Sequence, residues 1–254
     1  MASKFLMEYL WAERLWKLMN ADIHSFESMA ALDGDGIRYA VFFTGCPLRC
    51  VYCHNPDTWF SSGNSWSSNE LVKKIIRYKP YFKNGGGVTF SGGEPLLNAE
   101  FITETGELLA KQGIGYALDT SGSVPLSVSV KKAINGAELV ILDVKFYDAE
   151  SYKKYTNGEF DNFVSIGRYC SQNGIRLWLR TVIVPGINDT EEHIKKYAEF
   201  AKQFEFEKYE LLAFHTMGFF KYDKLGLQNP LKNTDALSKE RLSQLQDYLN
   251  HCLK

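Results

Sequence analysis

Two periodicities alternate along the chain. Short runs rich in β-branched and aromatic residues recur at 37–43 (IRYAVFF), 87–90 (GVTF), 114–119 (IGYALD), 138–146 (ELVILDVKF), 175–184 (IRLWLRTVIV) and 209–214 (YELLAF), as in buried strands. Between them apolar residues return at helical spacing. Ser67 and Glu70 have the spacing of a capping box ahead of LVKKIIRY. Asn98 precedes EFITETGELLAKQ, which ends at Gly113, a fitting residue just past a helix end. Further helices are predicted from Asp161 to Cys170, running to the Asn173-Gly174 pair, from Asp189 or Thr190 through EEHIKKYAEFAKQF, and from Leu237 to Leu253. The stretch SSGNSWSS at 61–68 reads as a polar loop. Six strands alternating with helices predict parallel βαβ units with right-handed crossovers. Their spacing leaves no second core and no linker, so residues 23–254 are read as one domain.

An open doubly wound sheet and a barrel both explain that alternation. The residues at the strand ends choose between them. Strand one runs into Thr44-Gly45 and a cysteine-rich loop, and strand two into Ser91-Gly92-Gly93-Glu94-Pro95. Strand three ends at Asp119-Thr120, strand four at Asp143-Val144-Lys145, strand five carries Arg180, and strand six finishes at His215. Parallel α/β folds place their ligands at the C-terminal ends of the strands. Six contributions converging on one end suit a ring better than a crevice at one switch point. The predicted fold is an incomplete (βα)6 parallel barrel, open on one side.

Residues 1–22 form a predicted N-terminal helical extension, because Phe5, Leu6, Tyr9, Leu10, Leu15, Trp16 and Met19 recur at helical spacing. Glu8, Glu13, Arg14 and Lys17 interrupt the apolar region that a signal peptide would need. No stretch approaches the apolar length of a membrane span. A formal net charge of -1, with acidic and basic residues interspersed, offers no field for nucleic acid and no patch for anionic lipid. Five cysteines, an odd number and mostly clustered, are poor material for a disulfide framework, so a cytoplasmic enzyme is expected.

The clustered three are Cys46, Cys50 and Cys53, spaced C-x3-C-x2-C in a tight loop that holds Pro47. Thiolates are soft ligands, suited to zinc or to iron–sulfur clusters. A closed zinc site wants a fourth ligand, and His54, the immediate neighbour of Cys53, is poorly placed to reach the same ion. Cys170 and Cys252 fall in predicted helices on the outside of such a barrel, where they pack as small apolar residues. Three thiols therefore point to an iron–sulfur cluster with one iron left open. A zinc-stabilised binding protein that uses Cys46, Cys50, Cys53 and His54 is the competing reading.

C-x3-C-x2-C with Tyr52 before its last cysteine, following a first strand, resembles the radical S-adenosylmethionine (radical SAM) enzymes. The strings DGDGIRYAVFFTGCPLRCVYCHNPDTW, GGGVTFSGGEPLL, LDTSG, LDVKF, LRTVIVPGIND and YELLAFH resemble, within that superfamily, the activases of glycyl-radical enzymes. The likeness runs from about Ile23 almost to the C-terminus. Two features depart from it. Where that family usually has Asp-Gly-Pro-Gly, this chain has Asp33-Gly34-Asp35-Gly36, which changes the loop's rigidity and charge. The extension at 1–22 has no counterpart.

The resemblance implies a [4Fe–4S] cluster on Cys46, Cys50 and Cys53, whose open iron takes the amino and carboxylate groups of S-adenosylmethionine. It implies that Gly92 and Gly93 let the backbone approach the methionyl amine, that Glu94 accepts a hydrogen bond from that amine, and that Lys145 faces the carboxylate. Asp119 and Asp143, with Thr120, are candidates for a monovalent cation beside that carboxylate, or for orienting Lys145; an ion pair between Asp143 and Lys145 alone is the plain alternative. Val144 lies among the cofactor-binding residues by its place in LDVKF. His215 is expected against the nucleoside, Tyr52 and His54 at the adenine, Arg180 at the cofactor or the incoming peptide, and Asp33 at the substrate backbone. Asn55, Asp57 and Trp59 are expected to fix the cluster loop. The implied reaction is one-electron cleavage of S-adenosylmethionine to methionine and a 5′-deoxyadenosyl radical, which takes a hydrogen atom from a glycine of the partner. The implied partners are pyruvate formate-lyase as protein substrate and a flavodoxin or ferredoxin as reductant. Many activases of other glycyl-radical enzymes, such as dehydratases and decarboxylases, carry a cysteine-rich insert after the first motif. Residues 54–169 contain no cysteine, which favours pyruvate formate-lyase.

Overall fold

The structure, a computed structural model, describes residues 19–60 and 63–254. Its centre is one eight-stranded sheet that does not close. Six strands, β2 (Arg38–Phe43), β4 (Val88–Gly92), β5 (Tyr116–Thr120), β6 (Leu139–Asp143), β7 (Leu177–Ile183) and β8 (Lys208–Ala213), pair in parallel and in chain order. These are the six expected strands of the open barrel. Two more lie beyond β2. Strand β1 (Asn20–Ala30) runs antiparallel to it, and β3 (Asn64–Ser67) runs antiparallel to β1.

Neither added strand was expected, and both have a physical reason for being inconspicuous. Register shifts at Ile23/Ser25 and Ser28/Ala30 break the two-residue alternation of β1. Strand β3 is four polar-flanked residues at the sheet edge, inside the stretch read as a loop. Because β1 begins at Asn20, the last residues of the expected extension are strand. The rest of that predicted helix, residues 1–18, lies outside the described residues.

Helices follow the parallel strands: α1 (Ser68–Ile76), α2 (Ala99–Ala110), α3 (Val128–Asn135), α4 (Ala149–Thr156), α5 (Phe160–Gln172), α6 (Glu191–Ala201), α7 (Phe219–Leu225) and α8 (Lys239–Leu253). The capping box of α1 is present, with Glu70 N donating to Ser67 Oγ and Ser67 N donating to Glu70 Oε2 at 3.0 Å. Such caps stabilise a helix by about 1 kcal/mol. Thr190, not Asp189, caps α6; Asn98 stands at the N-cap of α2 without a side-chain bond. At seven or eight residues each, helices α3, α4 and α7 are too short for a helical period to stand out in the sequence. Among the described residues no helix is long and apolar enough to cross a membrane.

Alternation along the strands divides the residues between two faces. Outward residues such as Val41, Phe90, Leu118, Val140 and Leu179 are buried against the helices in the main core. Inward, Ala117, Leu139 and Ile141 form a small apolar floor with Trp178. Above that floor the inward positions turn polar at Ser91, Asp119, Asp143 and Arg180, and these line a cavity.

Candidate functional site

That cavity measures about 390 Å³ and lies at the C-terminal ends of the parallel strands. The loop after β2 forms one part of its wall. Cys46, Cys50 and Cys53 line the cavity together with Tyr52 and His54. Burial pushes all three thiols up, Cys46 to about 12 with the nearby Glu94 carboxylate adding to it, and Cys50 and Cys53 likewise upward. Without a metal, then, these are neutral thiols, and metal binding must displace their protons.

The loop is anchored by backbone. Arg49 N donates to Thr156 O at 2.7 Å and Val51 N to Tyr155 O at 2.9 Å, both at the C-terminal end of α4. Gly45 N donates to Thr58 O at 2.8 Å and Glu94 N to Gly45 O at 2.8 Å. That last bond ties the cysteine loop to the SGGE turn after β4, and the turn has no room for side chains at its glycines. A Cβ on Gly92 would lie 2.2 Å from Phe43 N, and one on Gly93 would lie 2.1 Å from Gly45 O. Both glycines line the cavity, yet the close approach that excludes a side chain is to the end of β2 for Gly92 and to the start of the cysteine loop for Gly93.

Lys145, Asp143 and Arg180 complete the polar wall. Lys145 Nζ donates to Asp143 Oδ2 at 2.6 Å. Burial would lower the Lys145 pKa, but the Asp143 carboxylate, by charge and by hydrogen bond, leads the groups that outweigh it, and the ammonium is held well above its usual range. Arg180 is 8% exposed and sits 3.7 Å from Asp119, 3.7 Å from Glu210 and 3.9 Å from Asp33. Its terminal nitrogen donates to Leu32 O, and its Nε has no hydrogen-bond partner among the described residues. A buried guanidinium with an unused donor is equipped to receive a carboxylate or a peptide carbonyl.

The superfamily profile of the radical SAM enzymes matches residues 40–201, which span the cysteine loop and the strands up to α6. The chain belongs to the radical SAM superfamily. Two similar proteins carry the name pyruvate formate-lyase-activating enzyme. The one from Clostridium pasteurianum is 44% identical over 235 residues, 91% of this chain and 98% of its own. The one from Staphylococcus epidermidis is 36% identical over 242 residues, 92% of this chain and 96% of its own. Among solved structures, a domain of the pyruvate-formate lyase-activating enzyme from Bacteroides vulgatus superposes with a TM-score of 0.54 at 25% identity, over 66% of this chain and 95% of that one. Radical SAM enzymes work with a [4Fe–4S] cluster and S-adenosylmethionine.

Most of the residues expected at a radical SAM site do meet here; four stand elsewhere. Glu94 is fully buried behind the wall. Its Oε1 accepts from Leu96 N at 3.0 Å and Thr120 Oγ1 at 2.5 Å, and its Oε2 from Ser121 N at 3.0 Å and Ser121 Oγ at 2.5 Å. With four donors satisfied inside the fold, Glu94 braces the turn after β5 against the one after β4. Thr120, committed to Glu94, is turned away from Asp119 and Asp143. Val144 buries its side chain in the outer core and bonds through its backbone, N to Arg180 O at 2.7 Å. His215 is not on the wall, but its ring stacks on His54 at 3.7 Å between centroids, tilted by 14°. Burial lowers the pKa of both imidazoles, that of His54 to about 4 with His215 assisting, so the stack is neutral.

Several contributors had no signal in the sequence. Lys221 Nζ donates to Asn55 Oδ1 at 2.7 Å and to Asp57 Oδ1 at 3.0 Å, while His24 Nε2 stands 3.2 Å from Asp57 Oδ2. Tyr222 Oη donates to Cys53 O at 2.9 Å. Helix α7 thus clasps the cysteine loop, as the expected Asn55 and Asp57 contacts require, from 164 to 169 residues away. Trp59 lines the cavity with the Arg49 guanidinium 5.0 Å from its ring centre. Ser91 Oγ donates to Asp119 Oδ2 at 2.8 Å.

Asp119 carries a testable consequence. Desolvation first, then the Asp143 carboxylate, raises it to about 6 from 3.8. A carboxyl whose folded pKa exceeds its unfolded one stabilises the fold below the unfolded value and loses that stabilisation as pH rises through the folded one. The apoprotein should therefore lose on the order of 2 kcal/mol from this group between about pH 4 and pH 6. Urea midpoints measured across that range should show a shallower decline in Asp119→Asn; an unchanged slope would refute the assignment.

Proposed function

We propose that this chain activates pyruvate formate-lyase, taking a hydrogen atom from one glycine of that enzyme to leave a glycyl radical. The observation that carries the reading is the gathering of three thiols, an ion-paired lysine and a buried arginine on one cavity wall. It occurs in a chain 44% identical to a relative named pyruvate formate-lyase-activating enzyme.

Three soft donors fit a cubane with one iron left free. Among the described residues no three His, Cys, Asp or Glu side chains close on a single ion. Thiols set around a space of about 390 Å³ suit a multi-iron group better than one zinc. When bound, the cluster and S-adenosylmethionine supply one-electron cleavage of the sulfonium and, through it, hydrogen-atom abstraction at the target glycine.

In this reading Cys46, Cys50 and Cys53 hold the cluster, and Lys145, kept cationic by Asp143, faces the methionyl carboxylate. The backbone at Gly92 and Gly93 reaches the methionyl amine, with Glu94 bracing that backbone from behind. Tyr52 and the His54–His215 stack border the adenosine. Arg180 and Asp33 receive the peptide backbone. Phe42, Leu48, Val182 and Leu212 line the same cavity and keep water from the reacting atoms. Asp119 and Asp143 are the carboxylates available to a monovalent cation. The electron donor is a flavodoxin or ferredoxin, and the setting is a reducing cytoplasm.

The test is anaerobic incubation with S-adenosylmethionine, a strong reductant and pyruvate formate-lyase, followed by electron paramagnetic resonance. A glycyl doublet on the partner is expected. Release of 5′-deoxyadenosine with no radical on that partner, but one on a glycyl-radical dehydratase or decarboxylase, would transfer the assignment to the other branch.

A further inference from the structure

The segment 31–37, which joins β1 to β2, reaches the concave face of the sheet and is held there by side chains from both flanks. Arg180 of β7 donates to Leu32 O, Thr89 Oγ1 of β4 donates to Asp33 O at 2.6 Å, and Arg38 of β2 donates to Asp35 O at 3.2 Å. The Asp33 side chain lines the cavity. Two residues on, Asp35 turns outward, and its Oδ2 accepts from Arg176 at 3.0 Å. Arg176, just ahead of β7, is itself oriented by Glu207, just ahead of β8. Its Nε donates to Oε1 at 2.7 Å and its NH2 group to Oε2 at 2.8 Å. Trp178 Nε1 adds a third bond to Glu207 Oε2 at 3.1 Å.

The residues on either side of Asp35 make this tether matter. Gly34 and Gly36 have φ of +126° and +65°, a region that glycine enters at no steric cost but that leaves the segment little local stiffness. Proline, the usual residue of the resembling family at position 35, would restrict the backbone covalently. Here aspartate occupies the position and an ion pair to a pre-oriented arginine supplies the restriction instead.

We propose that Asp35, latched to the Arg176–Glu207 pair, is a positioning residue: it sets where the 31–37 segment presents Asp33, and so how the incoming glycine-bearing peptide is seated. The proposal rests on the reading above that Asp33 meets the substrate backbone. Asp35 is 36% exposed and Arg176 46%, so the pair is screened by salt and modest in strength.

Its test uses the full chain, loaded anaerobically, with pyruvate formate-lyase as the probe and hydrogen exchange over residues 31–37 as a readout independent of activity. Asp35→Asn should speed exchange across 31–37 and raise the KM for pyruvate formate-lyase about two- to fivefold, the span of an exposed ion pair. The kcat and the partner-free formation of 5′-deoxyadenosine should stay unchanged. Arg176→Gln should do the same, and the double variant should add little to either single one. The wild-type KM should rise with salt as the pair is screened, and Asp35→Pro should restore slow exchange and the wild-type KM while abolishing that rise. Wild-type exchange in Asp35→Asn, or faster exchange with an unaltered KM, overturns the latch. A wild-type chain that makes no radical on pyruvate formate-lyase, while Asp35→Asn still speeds exchange, refutes the activase reading and with it the seating of that peptide, and upholds only the tether of 31–37 by Asp35 and Arg176.

Discussion

Replacing Cys50 by alanine should empty the cofactor site while leaving the domain folded. Cys50 is 8% exposed and lines the cavity with Cys46 and Cys53. Two thiols cannot hold a cubane that the third vertex no longer secures, so anaerobic iron content should fall to background and the brown absorbance should vanish. The loop itself should persist, because its anchors are backbone: Val51 N to Tyr155 O at 2.9 Å, Arg49 N to Thr156 O at 2.7 Å and Cys53 N to Cys50 O at 3.1 Å. None of them uses a sulfur. Thermal unfolding of the metal-free chain should move by no more than about 1–2 kcal/mol, an ordinary cost for one core substitution. Cys170→Ala supplies the contrast. That thiol is buried in α5, away from the cavity wall, and the variant should keep its full iron complement. Iron retained by Cys50→Ala, or lost by Cys170→Ala, would contradict the ligand assignment.

The largest loss of stability is expected from Glu94→Ala. The carboxylate is fully buried and accepts four hydrogen bonds, two from backbone N–H groups and two from hydroxyls. Deleting it strands donors at Leu96, Thr120 and Ser121 in a space water does not reach, and each unmade bond costs about 1–3 kcal/mol. Relaxation and partial re-pairing keep the sum below simple addition, so roughly 3–5 kcal/mol is expected from urea unfolding of the apoprotein. Glu94→Gln keeps the shape but exchanges one acceptor for an NH2 group facing donors, and should fall about halfway. If Glu94 instead acted only as a ligand to the cofactor, Glu94→Ala would weaken S-adenosylmethionine binding and leave the apoprotein midpoint unmoved.

These two residues divide along the same line as the rest of the molecule. The cysteine triplet was legible because its chemistry is local: three soft ligands within eight positions have few other uses. Glu94 was legible as a residue of the turn after β4, but its four hydrogen bonds within the fold were not. Three of its four donors arrive from 26 and 27 residues away, and nothing in SGGEP announces that both carboxylate oxygens are used inside the fold. That Lys145 and Asp143 share a face was legible, because residues two apart at a strand end point the same way whatever else the chain does, and the ion pair they make is the plain alternative named from the sequence.

What can be read from the residues in order is whatever near neighbours govern. The six parallel strands, the capping box of α1, the residues at the strand ends and the clustered thiols all follow from periodicity, local hydrogen bonding and short-range spacing. Pairings between distant segments obey another rule, since they exist only once the whole sheet has its register and curvature. Strand β1 became visible through its partner β2, the clasp of α7 on the cysteine loop spans 166 residues from Lys221 to Asn55, and the tie from Asp35 to Arg176 spans 141. No local pattern encodes such distances, because the free energy that selects them comes from packing the whole open sheet against its helices and over its apolar floor, and belongs to no single segment.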